Sequence, residues 1–136
     1  MHAALAQIAP RLADVPANLD LHERTVDAAR TQGADLVVFP ELSLTGYGLM
    51  EATPDVAVRL DGPEIARLAA LSANTMLAVG IVEEAPGGRF FNSAVLLDGG
   101  EVVHVHRKVY LPSHGLFEEG RHFAAGDRVR VVPTRF

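Results

Sequence analysis

Glu41 follows directly on the apolar run Leu36 to Phe39 and Pro40, where a buried strand would give way to a loop. Strand ends of α/β sheets open into ligand crevices, and a carboxylate placed there is partly desolvated. Desolvation disfavours the charged form and raises a carboxyl pKa toward the range of a general base. Lys108 stands at the end of a second strand-like stretch, Glu101 to Val109, ahead of a loop at Pro112. An ammonium fixed in such a place acts as a point charge on a developing oxyanion. Each residue also has a plainer reading. Glu41 alone is an exposed acid that begins a loop, and Lys108 alone makes a surface ion pair worth about 0–1 kcal/mol. If the two lie across adjacent strand ends at about 4 Å, an effective dielectric near 20 couples them by about 4 kcal/mol.

Other candidates carry weaker signals. Glu118 and Glu119 are adjacent acids in an irregular segment, where acids are usually solvated. His104 and His106 share one face of a strand, and His114 and His122 follow, but no carboxylate falls at a convincing ligand spacing, so no metal site is expected. Gly46 and Gly48 form no phosphate loop, and Ser43 and Ser113 lack the G-x-S-x-G setting of a serine hydrolase.

The elements that would position Glu41 and Lys108 follow from periodicity. Ala3 to Ile8 suits a strand closed by Pro10. Leu19, Leu21, Val26, Ala28 and Ala29 give a helix over about 17–32 that stops at Gly33. Asp35 to Phe39 then has the look of a central strand buried on both faces. Strand, helix and strand in that order close right-handed with parallel strands. The stretch from Glu41 to Val58 is loop-like with some helical content. A second helix starts at Pro63, with Asp61 or Gly62 as cap, and shows Ile65, Leu68, Ala69 and Leu71 as its apolar stripe. Met76 to Val82 is a strand, with a turn at Pro86, Gly87 and Gly88. Phe90 to Leu97 and Glu101 to Val109 form a hairpin through Asp98, Gly99 and Gly100, and a last strand is expected at Val129 to Val132. The class is α/β. Two helices cannot cover both faces of a six-stranded sheet, so the second face is expected to be covered by further chain or another subunit.

Bulk properties narrow the function. With 136 residues and 49% hydrophobic content, the chain fits one domain with a real core. A net charge of −5 with scattered basic residues argues against nucleic acid. No apolar stretch approaches the roughly 18 residues of a membrane span. Without an export signal at Met1 to Pro10, a cytoplasmic location is the expectation. There is no cysteine, hence no disulfide, no thiolate ligand and no thiol nucleophile within these residues.

The segment from Val38 through Pro40, Glu41, Leu42, Ser43 and Leu44 to Tyr47 resembles the glutamate motif of the nitrilase, or carbon-nitrogen hydrolase, superfamily. His106-Arg107-Lys108-Val109-Tyr110-Leu111-Pro112 resembles its lysine motif. Ala6-Gln7, Asn18, Gly80 with Glu83, and Phe91-Asn92-Ser93-Ala94 occur in the family's order over almost the whole chain. Leu111 to Phe123 is most similar to the glutaminase domains of glutamine-dependent NAD synthetases and related amidases.

The resemblance implies an α-β-β-α sandwich of which residues 1–136 are the N-terminal part. It implies a Glu-Lys-Cys triad in which Glu41 is the base and Lys108 the oxyanion stabiliser. By the same resemblance Glu119 is a supporting second glutamate and Tyr47 an aromatic at the pocket entrance. His122 stands where those sequences often have tyrosine. The substrate is then a small-molecule amide or nitrile, and no cofactor is implied. The family's cysteine follows the lysine by some tens of residues, so the chain is expected to be a fragment, a truncation or one piece of a split protein. A homo-oligomer, or association with a C-terminal half, is expected with it.

Overall fold

The computed structural model describes residues 1–114 and 118–136. Gly115, Leu116 and Phe117, which belong to the glutaminase-like stretch, lie outside the described residues. Strand β1 (Ala3–Leu5) leads to helix α1 (Val15–Thr31), then β2 (Leu36–Val38). Two short 3-10 turns, Met50–Ala52 and Pro54–Val56, precede α2 (Pro63–Leu71). Strands β3 (Met76–Ala85), β4 (Arg89–Asp98) and β5 (Glu101–Arg107) follow, then a single turn of helix, α3 (Glu119–His122).

The strands form one five-stranded sheet in sequence order. β1, β2 and β3 are parallel, as the strand-helix-strand reading requires, while β3, β4 and β5 form an antiparallel meander. Helix α1 begins at Val15, two residues earlier than its apolar periodicity suggests, because the Asp14 side chain caps the Ala17 amide at 3.1 Å. Helix α2 has Gly62 as N-cap without a side-chain bond, and relies on Pro63 in its first turn.

Both helices lie on the same face of the sheet. Leu19, Val26 and Ala29 of α1 and Ile65, Leu68 and Ala69 of α2 pack on Val37, Leu77, Val79, Ile81, Val95 and Leu97. These sheet residues alternate along their strands, so the intervening ones point the other way. Of that second set, Leu5 is 80% exposed, Ala94 is exposed, and Val38, Ala78 and Leu96 are half-buried. One helix layer on one sheet is half of a four-layer sandwich.

Three expectations are corrected. Strand β2 does not bury both faces: only Val37 is buried, and Leu36 and Val38 border the open face. Residues 129–132 are not a strand, and the sheet has five strands rather than six. Val129 and Val131 are 73% and 99% exposed, and a β-rich sequence without a neighbouring ladder gains nothing by extending into a sheet. Finally, β1 stops at Leu5 rather than Ile8, although Ala6 still donates to the Val38 carbonyl at 2.9 Å.

Candidate active site

Glu41 and Lys108 do not stand on adjacent strands, since β3 and β4 separate β2 from β5. They meet because the chain after β2 crosses over β3. Phe39 donates to the Ala78 carbonyl at 2.9 Å and Leu44 to the Gly80 carbonyl at 3.0 Å, which lays residues 39–44 across that strand. Gly80 makes the crossing possible. A Cβ there would lie 2.4 Å from the Leu42 nitrogen and 2.5 Å from the Pro40 oxygen. Leu42 itself is held at φ 49, a left-handed conformation that branched residues avoid, so the turn carrying Glu41 stores backbone strain.

A buried network holds this turn in place. His22 is fully buried and stacked on Phe39 at 4.2 Å between ring centroids. Its Nδ1 bonds the Asn18 carbonyl at 2.7 Å and its Nε2 bonds the Ser43 hydroxyl at 2.9 Å. With Nδ1 donating, Nε2 accepts from Ser43, whose oxygen accepts from the Gly80 amide at 3.3 Å. Burial pushes the His22 pKa down and the Asn18 contact opposes it only in part, which keeps the ring neutral. Asn18 bonds the Leu44 carbonyl at 3.0 Å and both the amide and carbonyl of Arg11. A Ser-His contact of this kind resembles a nucleophile pair. Both side chains are fully buried, however, so the pair is scaffolding for the Glu41 turn.

Above that scaffold five side chains converge, those of Glu41, Tyr47, Asn92, Lys108 and Glu119. Lys108 Nζ lies 2.7 Å from Glu41 Oε1 and 2.9 Å from Glu119 Oε1. Tyr47 donates its hydroxyl to the same Glu119 oxygen at 2.5 Å. Asn92 Nδ2 donates to Glu41 Oε1 at 2.6 Å. Glu119 is 5% exposed, whereas the Glu41 side chain is 46% exposed. The Lys108–Glu41 arm is therefore screened by water and nearer to about 1 kcal/mol than to the roughly 4 kcal/mol of a pair at an effective dielectric near 20. Glu119 is the buried anchor.

Burial alone would lower the Lys108 pKa, but the hydrogen bonds and charges of Glu41 and Glu119 outweigh it and hold it above the ordinary lysine value. Burial and the Glu119 carboxylate push the Tyr47 phenol well up, so it stays protonated as a donor. Two of the three ammonium donors of Lys108 are engaged. Glu119 Oε2 is buried with no hydrogen-bond partner among the described residues. Glu119 lines a small cavity of about 60 Å³ together with Tyr47 and His122 of α3.

Glu41, Asn92 and Lys108 end a larger groove of about 300 Å³ on the uncovered sheet face, floored by Val38, Ala78 and Ala94. Asn92 was legible only as part of a familiar tetrapeptide. Its signal was a polar pair, Asn92 and Ser93, in the otherwise apolar strand Phe90 to Leu97, but the partner depends on the crossing over Gly80. A second missed pairing lies behind Lys108. Glu83, 1% exposed, accepts from Ser93 at 2.8 Å and from Arg107 at 2.9 Å. His104 and His106 lie on β5, and among the described residues no group of three or more His, Cys, Asp or Glu could hold a metal ion.

The family profile of carbon-nitrogen hydrolases matches residues 2–136. The chain belongs to the carbon-nitrogen hydrolase family. It is 32% identical over 139 aligned residues to the glutamine-dependent NAD(+) synthetase of Thermotoga maritima, which covers 97% of this chain and 23% of that protein. The solved glutamine-dependent NAD+ synthetase of Acinetobacter baumannii superposes with a TM-score of 0.83 at 29% identity, over 98% of this chain and 25% of its own. An amidase from Nesterenkonia sp. AN1, solved with acrylamide added at its active site cysteine, gives a TM-score of 0.79 at 29% identity, over 94% of this chain and 50% of its own. The chain thus spans about a quarter of the synthetases and half of the amidase. Among the described residues, no helix is long and apolar enough to cross a membrane.

Proposed function

We propose that this carbon-nitrogen hydrolase chain supplies the base and the oxyanion cation of an amidase or glutaminase site, and that the cysteine nucleophile lies outside these 136 residues. The observation that carries the reading is the ammonium of Lys108 held between Glu41 and the buried Glu119, at the end of an open groove. Glu41 Oε1 is occupied by Lys108 and Asn92, so Oε2 is the oxygen left to take a proton.

In this mechanism Glu41 removes the thiol proton and the thiolate attacks the carbonyl carbon of a small, non-peptide amide. Charge gathers on the carbonyl oxygen, toward which Lys108 can turn its third N–H. As the C–N bond breaks, protonated Glu41 returns its proton to the departing nitrogen, leaving a thioester. Water then gives a proton to Glu41 and attacks the thioester, a carboxylic acid is released, and Glu41 returns that proton to the cysteine. Glu119 fixes Lys108 through Oε1 and so orients its ammonium, with Tyr47 at the entrance. The uncovered sheet face is where the remainder of the sandwich, from further chain or a partner, delivers the thiol. Similarity to glutamine-dependent NAD synthetases favours glutamine as substrate, with ammonia supplied to NAD synthesis.

The absence of cysteine supports a second reading, a catalytically inactive subunit or assembly module of the same fold. Ammonia release from glutamine, asparagine and simple amides separates the two. The first reading expects release by the natural-length polypeptide, blocked by iodoacetamide, and none by residues 1–136 alone. Turnover by the cysteine-free chain contradicts it, and silence of the natural-length polypeptide favours the second.

A further inference from the structure

A concavity separate from the groove at Glu41 and Lys108 does not involve Glu41, Lys108 or Glu119. It measures about 440 Å³ and lies where the ends of β4 and β5 face the segment 125–130. In a chain of net charge −5 it is lined by four arginines, Arg89, Arg107, Arg128 and Arg130. Arg107 is committed to the buried Glu83, and Arg128 pairs with its neighbour Asp127. Arg89 lies over the Phe91 ring, 5.2 Å from its centroid, and neither Arg89 nor Arg130 makes an ion pair among the described residues. Four guanidinium charges around one cavity thus face two carboxylates, Glu83 behind Arg107 and Asp127, on which Arg130 acts at longer range than Arg128.

The wall of this cavity is fastened to the sheet. Ala124 donates to the Phe90 carbonyl and Gly126 to the Lys108 carbonyl, both at 2.8 Å. A Cβ on Gly126 would lie 2.2 Å from the Arg107 oxygen, so only glycine lets the segment close against the end of β5. The cavity volume falls within the roughly 300–1,000 Å³ usual for small-molecule sites. Guanidinium groups present paired N–H donors that match phosphate oxygens, and like-charged side chains gathered without counter-charges gain most from a dianion.

We infer that the concavity between β5 and residues 125–130 binds a phosphate-bearing small molecule, through Arg89 and Arg130 with Arg107 and Arg128 beside them. Calorimetric titration of the full chain at low salt tests this, with inorganic phosphate, ribose 5-phosphate and uncharged ribose as probes. Arg89→Ala and Arg130→Ala serve as variants. Neither side chain makes an ion pair among the described residues, and unchanged thermal melting checks that each variant is folded. The expected result is binding of both phosphate probes and not of ribose, weakened about tenfold in each variant and by added salt. Tighter binding of the sugar phosphate assigns the ligand to the phosphate monoesters, and equal binding assigns it to free phosphate. No phosphate binding, or the same affinity in wild type and both variants, overturns the inference.

Discussion

Asn92 and Lys108 hold the same carboxylate oxygen: Nδ2 of the one and Nζ of the other lie 2.6 Å and 2.7 Å from Glu41 Oε1. They are also joined through the backbone, the Lys108 amide donating to the Asn92 carbonyl at 2.8 Å. Glu41 and Lys108 are therefore spaced by the β4–β5 pairing, and a change at Asn92 reaches both.

Asn92→Leu should leave Glu41 held by Lys108 alone and place an apolar group against a carboxylate. The expected cost is about 1–2 kcal/mol in urea unfolding, where a hydrogen bond to a charged group is lost. An unchanged urea midpoint would mean that the contact holds nothing in solution.

Gly80→Ala should be more damaging than Asn92→Leu. The added methyl meets the backbone of Pro40 and Leu42, which cannot swing aside as a side chain can. A loss of about 3 kcal/mol is expected, at the upper end for overpacking a core. Amide hydrogen exchange in residues 39–46 should rise with it. Wild-type exchange in that segment would contradict the crossing described above.

His22 makes stability depend on pH. Burial holds its folded pKa below the ordinary value, so between about pH 6.5 and that lower value the unfolded chain binds the proton more readily. The stability of the folded state is full above this window and falls as pH drops through it. Melting at pH 5.5 should come at a lower temperature than at pH 7.5. In His22→Gln this difference should shrink, and an equal difference in the variant would assign it to other groups.

Arg107→Ala should cost about 3 kcal/mol or more, because it strands the buried Glu83 with only Ser93 as a donor. Pairing Arg107→Ala with Glu83→Gln should recover much of that loss in thermal melts. Full additivity of the two changes would show that the pair is not coupled.

The two charged positions were legible because each followed a strand-like run and sat inside a recognisable segment. Their meeting was not, since β2 and β5 are separated by two strands and only the crossing at Gly80 brings them together. Asn92 and the Glu83–Arg107 pair escaped for the same reason: register decides their partners, and register is not a local property of the chain. By its spacing alone Glu119 reads as a solvated loop acid, and only the family resemblance points to it as a supporting glutamate; Lys108 and Tyr47 hold it buried. The β-branched run at 129–132 misled, because propensity for a strand is satisfied only beside another strand.

In the proposed mechanism Glu41 works as the base that Lys108 and Glu119 complete. The most direct measurement is ammonia release from glutamine and simple amides by the natural-length polypeptide carrying Glu41→Gln, an isosteric change that keeps the contacts but cannot take a proton. Thioester formation should fall by about 10²–10⁴-fold, the usual worth of a positioned base, with the fold and melting temperature little changed. Turnover within a few-fold of wild type would contradict the account.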